Sequence, residues 1–323
     1  MKAIRIHQFG PTEDVLQLEN VPVPEPRTGE VLIKVAAASL NRADLGLRKG
    51  NYRISPDQLP VTPGREFAGI VEGIGTGVTE YRTGQRVVAY PSLGGYAEYA
   101  VAKTSEIRPI PDGVSFSQAA ALPTAYLTAW FGLKTDGNLN PGEWLLIQGA
   151  SSGVGTAAIQ IAKYWGAKTI AATGSEEKAH RLRKLGADVT IDVSQYDFLP
   201  EVMRVTDNRG VDVVLEMIGG EVYQKSLQAL APGGRLFSIG GAFGAIPDPP
   251  PALGESRKAT RFSITNYLKA KPGDFQQLDE ILQLVAQKKF QVVIGKTFPL
   301  AETRAAQRYL EGREHFGKVM LTM

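Results

Sequence analysis

Between positions 145 and 160 an apolar run, Leu145-Leu146-Ile147, gives way to Gln148-Gly149-Ala150-Ser151-Ser152-Gly153-Val154-Gly155 and then to Thr156-Ala157-Ala158-Ile159-Gln160. The order reads as strand, tight turn and helix. Small residues at Gly149, Gly153 and Gly155 let the backbone approach a pyrophosphate closely, and the amides at the positive end of the following helix hold the anion. Gly149, Ala150, Ser151, Ser152, Gly153, Val154 and Gly155 are therefore the candidate phosphate contacts. A glycine cluster is also what an ordinary turn needs, so the flanking elements have to discriminate. Nothing in the stretch supplies chemistry of its own, which would then belong to a bound dinucleotide.

The neighbouring elements are those that such a turn requires. A helix over 155–165 is followed by a strand over 169–173, a helix over 176–185, a Gly186-Ala187 stop and a short strand over 189–192. A strand over 211–217, a helix over 222–230, the breaker Pro232-Gly233 and a strand over 234–240 continue the alternation. Strand and helix at this spacing predict an α/β fold with a doubly wound sheet of five or six parallel strands.

The remainder is organised differently. Up to about Leu122 the chain carries short β-type runs (30–36, 66–73, 85–89) closely punctuated by Pro and Gly; a β run over 291–298, a helix over 301–311 and a strand over 318–322 return near the end. The terminal pieces are too small to bury their own apolar faces, so they complete the first domain. The expected division is 1–123 with 265–323 as one domain, interrupted by a nucleotide-binding domain over 124–264.

A chain of 323 residues with 43% apolar side chains suits two globular cores. Net charge is only +3 and the charges are interspersed, which gives no footprint for nucleic acid. The group His180-Arg181-Arg183-Lys184 reads as a solvated helix face. There is no cysteine, which excludes disulfides and thiolate metal sites and fits a reducing compartment. His7, His180 and His315 lie far apart, so no metal site is expected. Met1 leads straight into a strand and no run is long enough to span a bilayer, so a soluble cytoplasmic protein without membrane contact is expected.

Several ordered segments add to this reading: Met1-Lys2-Ala3-Ile4, Ser39-Leu40-Asn41-Arg42-Ala43-Asp44, Pro63-Gly64-Arg65-Glu66-Phe67-Ala68-Gly69, Ala121-Leu122-Pro123-Thr124-Ala125-Tyr126-Leu127-Thr128-Ala129 and Gly317-Lys318-Val319. In these residues, over essentially its whole length, the chain resembles the zinc-independent, zeta-crystallin-like quinone oxidoreductases of the medium-chain dehydrogenase/reductase superfamily. The resemblance implies a GroES-like β-rich catalytic domain around an inserted Rossmann-type domain. Zinc-dependent relatives carry cysteine where Asn41 stands, histidine where Arg65 stands and a third ligand near Thr124, and none of these three is a usual ligand. Two departures stand out: Ser152 replaces the usual glycine in the middle of the turn, and Val193 the usual tyrosine of the adenosine pocket.

Cofactor choice rests on the end of the second strand, where an acidic residue would bind the ribose hydroxyls of NAD and repel a 2′-phosphate. Here Thr173-Gly174-Ser175 stands instead, with Lys178 one turn on, a set that suits NADPH. Glu176 and Glu177 run the other way, and the alternative is that they are first-turn helix acids beside a solvated Lys178.

The resemblance also assigns roles. Hydride transfer places charge on an acceptor oxygen, so a metal-free site needs a donor there. Tyr52 is the first candidate, with pocket wall as its alternative; Asn41 is a second, or else a turn residue; Asp44 serves as a catalytic residue or fixes the loop by holding Arg48 or a backbone amide. Thr128 lies against the nicotinamide or caps its helix, Gly240 and Gly241 meet the carboxamide or simply turn, Arg65 and Glu66 pair with each other or face the domain interface, and Lys318 approaches the cofactor phosphates or faces solvent. The implied activity is NADPH-dependent reduction of a quinone or an α,β-unsaturated carbonyl, with enoyl-thioester reduction or non-catalytic NADPH binding as alternatives. A homodimer, or else a tetramer, is expected through the sheet edge at 235–238 or its neighbour in sequence.

Overall fold

A computed structural model of the chain describes residues 1–10, 15–51, 54–240, 245–247 and 253–323. The strands among them run β1 Lys2–Arg5, β2 Gln17–Asn20, β3 Glu30–Leu40, β4 Phe67–Ile74, β5 Arg86–Ala89, β6 Tyr99–Lys103, β7 Ile107–Pro109, β8 Trp144–Ile147, β9 Lys168–Thr173, β10 Val189–Asp192, β11 Val211–Glu216, β12 Leu230–Ser238, β13 Lys258–Arg261, β14 Ile294–Pro299 and β15 Lys318–Thr322. Two compact units result, Met1–Thr124 with Pro272–Met323, and Ala125–Lys271.

In the first unit β3 is the spine of a seven-stranded sheet. Its opening half alternates, with Val31, Ile33 and Val35 buried and Lys34 exposed, as a half-covered strand requires. From Ala37 to Leu40 both faces are buried. One edge of β3 is taken by β4 in antiparallel register. The other is shared, with β6 opposite Glu30–Lys34 and β15 opposite Ala37–Leu40. Ile33, Phe67, Val71, Val87, Ile107 and Val319 are fully buried in this core, each worth about 1.5–3 kcal/mol of transfer free energy.

The second unit holds six parallel strands in the order β10-β9-β8-β11-β12-β13. Numbered from β8, that is the 3-2-1-4-5-6 order of a doubly wound dinucleotide-binding fold, whose direction reverses between β8 and β11. The strand β9 is buried along its length after Lys168, and β11 throughout, as central parallel strands covered on both faces should be.

Three expectations need correction here. The segment 235–238 is no edge, because β12 is paired on both sides, by β11 and by β13. The outer strand on that side is β13, Lys258-Ala259-Thr260-Arg261, the next strand in sequence and so the second of the two places expected. Pro232-Gly233 does not separate helix from strand; it lies inside β12, at a bulge where the pairing jumps from Leu230 to Arg235, a place where proline's missing donor does no harm. Finally, the helix Ile264–Ala270 stays with the second unit, because Tyr267 stacks on Phe131 at 4.6 Å and lies 5.8 Å from Phe262. Among the described residues no helix is long and apolar enough to cross a membrane.

Candidate active site

The glycine-rich turn sits at the C-terminal end of β8, at the switch point of the second unit's sheet. Ala150 N donates to Ala172 O at 3.0 Å, pinning the turn to β9. Ser152 is the N-cap of the helix Gly153–Tyr164, its Oγ accepting from Gly155 N at 3.1 Å. The serine that replaces the family's glycine therefore takes up one first-turn amide, leaving those of Gly153 and Val154 as donors that no earlier helical carbonyl reaches. Gly155 is there for packing: a Cβ would stand 2.5 Å from Ala150 O and 2.6 Å from Ala150 Cα.

Across the switch point β11 ends in Glu216, whose fully buried carboxylate accepts from Ile218 N at 2.8 Å and Gly219 N at 3.1 Å. Burial pushes the Glu216 carboxyl up, and these backbone donors pull it part of the way back. The loop so fixed overhangs the turn, since a Cβ on Gly149 would lie 3.2 Å from Ile218 Cδ1. Only an acid closing an otherwise apolar strand end marks Glu216 in the sequence.

At the end of β9, Thr173 is buried and its Oγ1 has no hydrogen-bond partner among the described residues. Gly174 is exposed, with nothing within 4 Å of a would-be Cβ. Ser175 caps the helix Glu176–Leu185 by accepting from Lys178 N at 3.3 Å. Both acids opposed to a phosphate have partners, Glu176 in Arg183 and Glu177 in Arg181. Val193, 43% exposed, stands where the family's tyrosine is usual, and Tyr196, three residues on, is 63% exposed. Gly240 takes a left-handed φ of +76°, with nothing among the described residues within 4 Å of a would-be Cβ. Thr128 is buried in the middle of the helix Pro123–Phe131, so capping a helix start is not its role. Gly241 and Tyr52 lie outside the described residues.

In the first unit the doubly buried end of β3 delivers Asn41 to a polar cluster. Its backbone N donates to Asp44 Oδ2 at 2.7 Å, and Tyr96 Oη donates to the same oxygen at 2.9 Å. Its side chain is held at both ends: Nδ2 donates to Glu66 Oε1 at 2.8 Å while Oδ1 accepts from Lys318 Nζ at 2.7 Å. Lys318 Nζ also donates to Glu66 Oε1 at 2.8 Å and Leu40 O at 3.1 Å. Ser39 Oγ donates to Glu66 Oε1 at 2.8 Å, and Thr124 N to Oε2 at 2.6 Å.

Charge states follow from these contacts. Burial works to raise the Glu66 carboxyl, but the Lys318 ammonium and the other donors outweigh it and hold Glu66 below the usual range. Asp44 goes the opposite way: burial raises it, only partly offset by the Arg65 charge and its two hydrogen bonds.

Three roles change accordingly. The partner of Glu66 is Lys318 rather than Arg65, whose guanidinium lies 6.0 Å from the Tyr90 ring centroid. Lys318 does not point at a phosphate, because its three N–H groups are all used inside the cluster. Asp44 holds a backbone amide but not Arg48, which instead reaches Gln307 at 3.1 Å and Glu311 at 3.2 Å. The positions of the relatives' zinc ligands thus present an amide, a guanidinium and a hydroxyl, and an ammonium already occupies the amide oxygen. That donor set does not fit a metal ion.

Comparison with known proteins gives this geometry a family. The alcohol dehydrogenase GroES-like domain matches residues 27–112, and the zinc-binding dehydrogenase family matches 185–321. Quinone oxidoreductase of Mus musculus is 34% identical over 328 residues, covering 100% of this chain and 98% of its own. The chain belongs to the zeta-crystallin-like quinone oxidoreductase family of the medium-chain dehydrogenase/reductase superfamily. Among solved quinone oxidoreductases, that of Escherichia coli complexed with NADPH superposes with a TM-score of 0.93 at 30% identity, covering 100% of both chains. A second structural relative, CurK enoyl reductase, has a TM-score of 0.90 at 32% identity, covering 100% of this chain and 99% of that one.

Proposed function

We propose that this quinone oxidoreductase relative is an NADPH-dependent, metal-free oxidoreductase that reduces quinones or α,β-unsaturated carbonyls. The observation that carries the proposal is the cradle at the β8–β11 switch point, where the close Gly155–Ala150 packing brings a helix N-terminus against a glycine turn. The residues fit the cofactor. The Gly153 and Val154 amides would receive the pyrophosphate, and the space at Gly174 with the Thr173 hydroxyl, open and unpartnered among the described residues, suits the adenosine ribose. The Ser175 hydroxyl and Lys178 ammonium recognise its 2′-phosphate, and the complexed Escherichia coli relative supports NADPH as the cofactor.

Bound NADPH supplies a hydride equivalent. The chain's own contribution is to orient and to donate. Thr128, Gly240 and Gly241 are assigned to the nicotinamide; Asn41, through the second N–H of Nδ2, and Tyr52 are assigned to the acceptor oxygen as it gains charge. Asp44 fixes the backbone of Asn41 and the hydroxyl of Tyr96. Enoyl-thioester reduction is the second reading, favoured by the likeness to CurK enoyl reductase. A homodimer through the outer strand β13 is the assembly implied, and sedimentation velocity tests it.

The experiment is loss of reduced-nicotinamide absorbance from NADPH and from NADH against quinones, enones and enoyl-CoA esters, with chelator present. Turnover with quinones or enones and preference for NADPH are expected. Turnover confined to enoyl-CoA selects the second reading, and tight NADPH binding without turnover overturns both in favour of a binding protein.

A further inference from the structure

The grip on Asn41 carries more than a fold. An ammonium has donors only and a carboxylate acceptors only, so Lys318 must face the amide oxygen and Glu66 the amide nitrogen, which settles the orientation of the Asn41 side chain. A cation on an amide oxygen draws electron density from the nitrogen, and an anion on one N–H fixes the direction of the other. Four contacts hold Glu66 in place: Ser39, Asn41, Thr124 and Lys318. The whole arrangement is buried on the Glu66 and Lys318 side, while Asn41 retains partial exposure. The second N–H of Asn41 Nδ2 is thus polarised and aimed, and among the described residues no acceptor meets it.

We infer that the Lys318–Glu66 ion pair is a positioning device that orients and polarises the Asn41 amide for hydrogen bonding to the acceptor oxygen of the substrate. The inference rests on the function proposed above. Lys318 acts through Asn41 and does not itself touch the reacting atoms, standing in chemical terms where relatives place a Lewis acid: positive charge reaches the acceptor through an amide rather than through a metal.

The test is a double-mutant cycle on reduction of 1,4-naphthoquinone by NADPH. Lys318→Met with Glu66→Gln removes the pair together and leaves no lone buried charge; it is made in the wild type and in Asn41→Ala. Loss of the pair is expected to lower kcat on the order of tenfold when Asn41 is present and by less than about threefold when it is absent, with KM for NADPH held within about twofold. Lys318→Arg, which keeps the charge but not the ammonium's three-way geometry, is expected to give a smaller loss that also vanishes without Asn41. The Asn41 side-chain amide resonance, assigned by its disappearance in Asn41→Ala, is expected to move upfield and to exchange faster with solvent once the pair is gone. Equal losses in both Asn41 backgrounds, or an amide resonance indifferent to the pair, overturn the inference while normal wild-type turnover leaves the proposed function standing. A wild-type protein that turns over no quinone or enone overturns the proposed function, and the acceptor role with it.

Discussion

Lys318 Nζ lies 2.7 Å from Asn41 Oδ1, although 277 residues separate them in sequence. The ammonium and the Glu66 carboxylate it neutralises are both almost completely removed from solvent. Breaking such a pair from one side leaves an uncompensated charge in the interior, whereas removing both charges does not. Lys318→Met alone is therefore expected to cost about 3–5 kcal/mol, and adding Glu66→Gln to recover most of it. Urea denaturation of the three proteins checks this; a single-mutant loss below about 1 kcal/mol, the range of an exposed pair, would contradict the burial argument.

The two buried acids of the cluster should respond to pH in opposite senses. Glu66 is held below its ordinary value of 4.5, so its contribution is present above that value and is lost as pH falls through the lower folded one. Asp44 is raised above its ordinary 3.8 by burial, so its contribution is present below 3.8 and is lost as pH rises through the higher folded value. Asp44→Asn keeps an oxygen for Asn41 N and Tyr96 Oη, and is expected to match or exceed the wild type in stability at about pH 8 and to lose that advantage toward about pH 4. Denaturation midpoints across that range decide it, and a variant less stable at every pH would refute the assignment.

The parallel sheet was legible because its signals are local. The helix expected over 176–185 and the strand over 189–192 coincide with Glu176–Leu185 and Val189–Asp192, where caps, periodicity and a glycine stop all agree. The helix Phe198–Val205 was missed because it contains Pro200, which is harmless in a first turn capped by Asp197. In the site, the identities of Asn41, Asp44 and Glu66 stood out, but their partners did not. Glu66 meets Lys318 across 252 residues, and no pattern in either segment encodes the other. Adjacency suggested an Arg65–Glu66 pair as one of two readings, and sequence neighbours say nothing of a lysine on the last strand.

Lys178→Ala is expected to weaken NADPH by about 1.5–3 kcal/mol, the loss of one charged hydrogen bond, and to leave NADH nearly unchanged. Glu176 is paired with Arg183, and Glu177 lies 3.8 Å from Arg181. Fluorescence titration with each cofactor makes the comparison, and equal losses for both would assign Lys178 to the helix alone.

Gly155→Ala places a methyl group against backbone atoms that cannot rotate away, 2.5 Å from Ala150 O. The helix must lift from the turn, so a loss of about 1–3 kcal/mol in stability is expected, together with at least about a tenfold rise in the NADPH dissociation constant. Calorimetry with and without NADPH measures both. Undiminished stabilisation by NADPH would show that the turn does not hold the pyrophosphate.

The shared edge of β3 has a consequence for synthesis. During translation β6 can cover the first half of that edge early, but the half at Ala37–Leu40 waits for β15, and the whole continuous segment Ala125–Lys271 emerges in between. The intervening unit can collapse as soon as it is made, since its sheet needs no strand from outside the segment. The first unit cannot; it carries an open, apolar strand edge through most of translation, the kind of template on which chains aggregate. Slow or interrupted elongation past residue 271 should therefore expose β3 to capture by chaperones, and a ribosome-bound fragment ending before β15 should be their preferred client.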